Sequence, residues 1–195
     1  SGLVGSEMCI RDRSNTPSLL VQIKKKNVIK VLPPIKMAAK VSVTGNIAIL
    51  ATHATIKSKK LSEFIKKNKL ARRINIKKIN ASKLVQLVES VKFIDDKNLC
   101  KRTINKVLSQ EFSKYNIDVA TLSSTHLPFL LSFFNKQFPT VNFLDPGQEV
   151  ADKVRNAIKK PSKRNSMKIF TSSKPEKFQK DLSKIGIKQK VTFLN

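Results

Sequence analysis

Two short segments combine hydroxyls, an amide and an imidazole in a way that suits proton chemistry at a bound carboxylate. One is Ser14-Asn15-Thr16-Pro17-Ser18; the other is Ser123-Ser124-Thr125-His126-Leu127-Pro128. Each places small hydroxyl side chains just before a helical pattern, where the first backbone N–H groups have no intrahelical acceptor. Those N–H groups and the positive end of the helix dipole favour a negative ligand. Ser, Thr and Asn are also the ordinary N-cap residues, so each loop alone reads as a cap. Two such loops facing one ligand read as a binding site. His126 adds an imidazole, the side chain most used for acid–base work.

Loops of this kind need strands to hold them. Asn46–Ala51 (NIAILA) is a continuous apolar run of the type found in strands buried on both faces. Asp118–Ser123 (DVATLS) and Asn142–Leu144 are further strands, the first leading into the Ser124 loop. Arg73–Ile79 alternates Ile with basic residues, as an exposed edge strand does. Short strands are predicted at Val28–Val31, Lys168–Thr171 and Val191–Leu194.

Between them lie helical patterns. Pro17–Lys26 and Ile35–Ser42 are the first two. Ser58 suits the cap of a helix that turns Leu61, Phe64 and Ile65 to one side. Leu84, Leu87 and Val88 mark another. Lys101–Tyr115 carries the stripe Ile104, Val107, Leu108 and Phe112. Pro128 opens a helix after the His126 loop. Asp145, Pro146 and Gln148 supply a cap, a first position and a capping-box partner for a helix with Val150, Val154 and Ile158 as its buried stripe. Pro175–Lys184 is the last. The βα alternation argues for an α/β fold with mainly parallel sheet.

Composition narrows the function. The chain has 195 residues, 40% of them hydrophobic, which is enough for a sizeable core. Its longest apolar stretches fall far short of a membrane span, and residues 1–13 have no apolar signal region. Two cysteines, Cys9 and Cys100, and two histidines, His53 and His126, exclude a disulfide framework and a zinc site of ordinary spacing. A reducing, cytoplasmic location and no metal are expected. The charge is extreme: 39 Lys and Arg against 13 acids, net +26. Between Lys57 and Lys78 the only acid is Glu63. Such a field attracts small anions and polyanions alike. With one Tyr and no Trp to stack on bases, weak and non-specific nucleic-acid binding is expected. Residues 1–13 show no periodicity, join abruptly to Ser14, and read as a non-native leader.

SNTPS resembles the CNTAS or CNTPS motif of glutamate racemases, and SSTHLPFL their GCTHYPLL motif. The likeness continues in IAILATHATIKSKK (residues 47–60), LVQLVE (84–89), FLDPGQEVA (143–151) and IFTSSKPEKF (169–178). Six colinear segments in the family's order identify the chain as similar to the aspartate/glutamate racemase family over everything after residue 13.

The resemblance implies an α/β fold of two similar domains with mainly parallel sheets flanked by helices, and an active site in the cleft between them. Residues 14–44 with 145–195 would be the first domain, incomplete because the family's opening segment and its DSG motif are absent, and residues 45–144 the second. The family interconverts L- and D-glutamate with no cofactor, usually to supply D-glutamate for peptidoglycan, and often as a homodimer. Two cysteines on opposite faces of the substrate exchange the α-proton. Here both positions are serine, Ser14 and Ser124. The resemblance makes Asn15, Thr16 and Thr125 substrate-binding residues and His126 the assisting base. It makes Glu89, the family's helix-borne glutamate, a further substrate-binding candidate, and sets Thr52 and Thr55 at the pocket wall. A neutral hydroxyl is a far poorer base than a thiolate, so impaired glutamate racemisation is expected. Two alternatives stay open: a related isomerase acting on another small carboxylate such as aspartate with Ser/His chemistry, and an inactive basic binding protein.

Overall fold

The computed structural model describes residues 31–68, 74–158 and 166–194. The predicted helix Pro17–Lys26 and most of the strand Val28–Val31 lie outside them, as do Ser14, Asn15 and Thr16. The chain divides into two compact units after Ala157.

The first unit is built on a four-stranded sheet. Helix α1 (Ile35–Val41) leads into β1 (Asn46–Ala51); α2 (His53–Lys57) and α3 (Lys59–Asn68) follow, then β2 (Asn75–Asn80). Helices α4 (Ser82–Glu89), α5 (Lys92–Asp95) and α6 (Lys97–Tyr115) connect to β3 (Val119–Leu122). A 3₁₀ turn (Leu127–Leu130) and α7 (Leu131–Gln137) precede β4 (Asn142–Leu144), and α8 (Gly147–Ala157) closes the unit. The strand order is β2-β1-β3-β4 and every pairing is parallel. The chain goes from β1 to one side for β2, then crosses back to the other side for β3. The winding therefore reverses between β1 and β3, and ligands in open α/β sheets bind outside the carboxyl ends of the strands at such a point.

Packing explains the elements. β1 is buried from Ile47 to Ala51, as expected of a central strand with helices on both faces. Ile49 and Ala51 meet Ile35 of α1 and Leu61 of α3, while Ile47 packs with Ala38, Ile74, Val119 and Leu144. Ser58 Oγ accepts from the Leu61 N–H at 3.4 Å, the expected cap. Phe134 stacks on Phe143 with centroids 5.0 Å apart, and Phe112 meets Phe138 edge-on at 5.1 Å.

At the amino end of the sheet, Asp118 gathers the turn between α1 and β1. It accepts from Ser42 Oγ at 2.6 Å, from the Val43 and Thr44 N–H groups at 2.6 and 2.9 Å, and from Thr44 Oγ1 at 2.8 Å. Burial raises the Asp118 pKa, but these donors outweigh it and hold the carboxyl below its ordinary value.

Several local expectations are corrected. The helix expected from Lys101 starts at Lys97, because Asp96 caps it by accepting from the Leu99 N–H at 2.8 Å. Its buried stripe is Cys100, Ile104, Leu108 and Phe112, at strict four-residue spacing; Val107 lies to one side and is half-buried. Pro128 opens a 3₁₀ turn before the α-helix begins. Asp145 does accept from the Gly147 N–H at 3.0 Å, but Gln148 donates to Asp152 at 3.1 Å instead of closing a capping box. Val154 and Ile158 are exposed, and none of α8 is buried. Helices α2 and α5 were not expected; Val91, between α4 and α5, has φ 59°.

The second unit is small. β5 (Ile169–Thr171) and β6 (Val191–Phe193) pair in parallel, with α9 (Pro175–Lys184) between them. Gln179 of α9 accepts from the Val191 N–H at 2.8 Å. Among the described residues no helix is long and apolar enough to cross a membrane.

Candidate active site

The Ser124 loop starts where β3 ends. The Ser123 N–H continues the ladder to the Leu50 carbonyl at 2.9 Å, which keeps the loop beside the end of β1. Thr121, fully buried, holds Ser123 through hydroxyl contact at 3.1 Å. Ser124 follows and is 8% exposed. Its Oγ accepts from the His126 N–H at 3.4 Å, and its carbonyl from the Leu127 N–H at 3.2 Å. These bonds fold the loop into a tight turn that holds Ser124, Thr125 and His126 together. Buried Leu127 and Leu130 then anchor it.

His126 faces Glu89 from the end of α4, with Nε2 3.8 Å from Oε1. Nδ1 of His126 is buried and has no hydrogen-bond partner among the described residues. An imidazole with a carboxylate 3.8 Å from one nitrogen and the other nitrogen unbonded can pass a proton to a neighbouring group. The structure thus brings Ser124, Thr125, His126 and Glu89 into one place, although Glu89 is far from the loop in sequence.

On the neighbouring strand, β1 ends at Ala51 and Thr52 begins the next loop. Thr52 Oγ1 lies 3.0 Å from Thr55 Oγ1. β1 pairs Leu50 with Leu122, so Thr52 lies level with Ser124 across the switch point. Three polar residues at this edge of the sheet were missed in the sequence. The His53 N–H donates to Ser82 Oγ at 2.9 Å, Asn80 Nδ2 lies 3.4 Å from His53 Nδ1, and the Ser82 N–H donates to Asn80 Oδ1 at 3.0 Å. Their position directly after β1 and β2 was the available signal. They tie the ends of those strands together.

Among the described residues no group of His, Cys, Asp and Glu could hold a metal ion. A groove of about 430 Å³ lies elsewhere, lined by Pro34, Met37, Phe64, Pro146 and Val150 among others; Ser124, His126 and Glu89 take no part in it. Volume and chemistry point to different places here, and the polar, titratable loop is the better guide to reaction chemistry.

No family model matches the chain. Glutamate racemase of Actinobacillus pleuropneumoniae serotype 7 (strain AP76) is 30% identical to it over 159 residues, 78% of this chain and 58% of that protein. The chain thus spans somewhat over half the length of that relative. Glutamate racemase of Bacillus anthracis superimposes with a TM-score of 0.77 at 20% identity, over 93% of this chain and 70% of the other. The Escherichia coli glutamate racemase, solved in complex with L-glutamate and the activator UDP-MurNAc-Ala, gives 0.73 at 20% identity, over 91% and 68%. The structural likeness carries the α/β fold with its parallel sheet, and the sequence likeness carries the kinship: the chain belongs to the glutamate racemase family.

Proposed function

We propose that the chain acts as a glutamate racemase-like isomerase, exchanging the α-proton of a small acidic amino acid without a cofactor, and that serine at both base positions makes it slow. The observation that supports this best is the Ser124–Thr125–His126 turn at the switch point, with His126 facing Glu89 at 3.8 Å. Kinship with glutamate racemases, one of them holding L-glutamate, supports the substrate class.

In this reading Asn15, Thr16 and Thr125 hold the substrate carboxylates, and Ser14 and Ser124 stand on opposite faces of the α-carbon. Removing the α-proton leaves a carbanion conjugated with the carboxylate. A proton returned from the other face gives the mirror-image amino acid, so no net proton is consumed. On the Ser124 face, His126 draws the hydroxyl proton and Glu89 orients the imidazole. On the Ser14 face, Asn15 and Thr16 offer no comparable base. Abstraction and return on one face are therefore faster than transfer across the substrate.

The test is incubation of the chain with L-glutamate, and separately L-aspartate, in deuterated water. Proton NMR reads loss of the α-proton, and a chiral assay reads the D-isomer. Wash-out of the α-proton is expected to outrun racemisation, with racemisation well below ~1 per second, and His126→Asn should abolish the wash-out. Wash-out no faster than in buffer, or unchanged in His126→Asn, would sink the proposal and leave a basic binding protein as the reading. Preference for aspartate would redirect the substrate within the same chemistry.

A further inference from the structure

We propose that the outer face of α3, with Lys78 of β2 beside it, binds the phosphate backbone of nucleic acid. The surface is independent of the reaction proposed above.

Its charge is concentrated by the fold. Helix α3 (KKLSEFIKKN) turns its apolar side inward: Leu61 is buried, and Phe64 and Ile65 pack against the cluster of Ile35, Ile49 and Ala51. That leaves the lysines outward. Lys59, Lys66 and Lys67 are exposed, as is Lys57 just before the helix, and Glu63 is the only acid on it. Lys59 and Lys66 are seven residues apart, two turns and ~10.5 Å along one side of the helix. Next to this face runs β2, at the end of the strand order. Lys78 of β2 is exposed and reaches Ser62 of α3, Nζ to Oγ 3.2 Å. That contact joins strand and helix into one surface. Along β2 the neighbouring side chain points to the other face of the sheet, where Lys77 lies 3.4 Å from Glu111 and 3.9 Å from the Tyr115 ring centre. Lys77 is thus committed to α6, and Lys78 to the α3 face.

Lysines on an edge strand also discourage pairing with foreign strands. That role does not extend to a helix, where Lys57, Lys59, Lys66 and Lys67 sit. An anionic membrane is the poorer match. Helices that lie on lipid insert an apolar face, and here that face is already used by the core. What remains is a row of point charges without apolar or stacking groups, which suits phosphates and reads no sequence.

The test uses the full chain and a fluorescein-labelled single-stranded RNA of 20 nucleotides, followed by anisotropy from 50 to 200 mM salt. Lys59→Gln, Lys66→Gln, Lys67→Gln and Lys78→Gln are combined in one variant. A control removes the same charge elsewhere by Lys101→Gln, Arg102→Gln, Lys106→Gln and Lys177→Gln. Circular dichroism melts check that both variants fold. The expected result is a loss of tenfold or more in affinity at 100 mM salt for the α3 variant and under threefold for the control. The slope of log affinity against log salt should flatten by about 3 in the α3 variant, following ~0.7 per phosphate contact. Equal losses in the two variants would overturn the proposal, since the charge would then act diffusely. Binding to vesicles containing 30% anionic lipid without binding to RNA would overturn it as well.

Discussion

Glu89 meets His126 with 3.8 Å between Oε1 and Nε2, a pairing of a helix end with a loop that no sequence spacing would suggest. In the proposed reaction Glu89 acts through the imidazole, as a positioning residue. In a background carrying Ser14→Cys and Ser124→Cys, Glu89→Gln should slow α-proton exchange by about tenfold and alter its pH profile, whereas His126→Asn should cost ~10²-fold or more, the usual scale of acid–base catalysis. A pH profile unchanged by Glu89→Gln would remove Glu89 from the site.

The two serines are tested by restoring thiols. A free thiol can be pushed towards thiolate by its surroundings and is a workable base, which a hydroxyl is not. Ser14→Cys with Ser124→Cys should raise racemisation by orders of magnitude. Either single change should recover mainly α-proton exchange in deuterated water. If the unaltered chain already turns over at ~1 per second or faster, the two-thiol reasoning fails for this chain.

Asp118 makes stability depend on acid. Its folded-state pKa lies below the ordinary carboxylate value because Ser42, Val43 and Thr44 donate to it despite its burial. A depressed pKa contributes stability above the unfolded value of ~3.9 and loses it as pH falls through the folded value. Asp118→Ala should therefore cost about 2 kcal/mol in urea melts at pH 7. The gap between variant and parent should narrow below pH ~4. A gap of the same size at pH 2.5 would contradict this account.

Cys100 should be inert. It is fully buried in the α6 stripe, and burial pushes its thiol up to about 11. In a Cys9→Ser background at pH 8, a disulfide reagent should label Cys100 only at the rate of unfolding and at once in denaturant. Rapid labelling of the folded protein would place Cys100 nearer the surface.

Among the described residues Phe134 is the largest side chain with no exposed surface, and it stacks on Phe143 at 5.0 Å. Phe134→Ala should lower stability by about 3–5 kcal/mol, read by chemical denaturation. A loss under ~1 kcal/mol would mean that the core beneath β4 repacks freely.

Much of the frame was legible because its signals are local. NIAILA could hardly be other than a buried strand, and β1 and β4 occupy the residues expected for them. Cys100 was overlooked in the α6 stripe because the helix was begun at Lys101, after the cap that Asp96 provides. Helix α2 has five residues and no side-chain cap, too little for periodicity to register. The stripe assigned to Val150, Val154 and Ile158 had helical spacing, but spacing says which residues share a side of a helix and not whether anything covers them. At the site, the Ser124 loop was visible as polar residues between a strand and a helix. The meeting of Glu89 with His126 was not legible: the resemblance offered Glu89 only as a substrate-binding candidate, and the contact depends on how α4 ends.

That ending has a cost of its own. Val91 terminates the corner after α4 in the left-handed region at φ 59°, with its side chain 8% exposed. A β-branched residue is out of place there, at roughly 1–2 kcal/mol, while burying its isopropyl group returns a similar ~1.5 kcal/mol. The two nearly cancel, so Val91→Gly should scarcely move the melting point. Yet Val91 stands two residues after Glu89, so a glycine there should leave the end of α4 less constrained. Such a loosening would be silent in a melt and is expected to show only in how steadily Glu89 faces the imidazole.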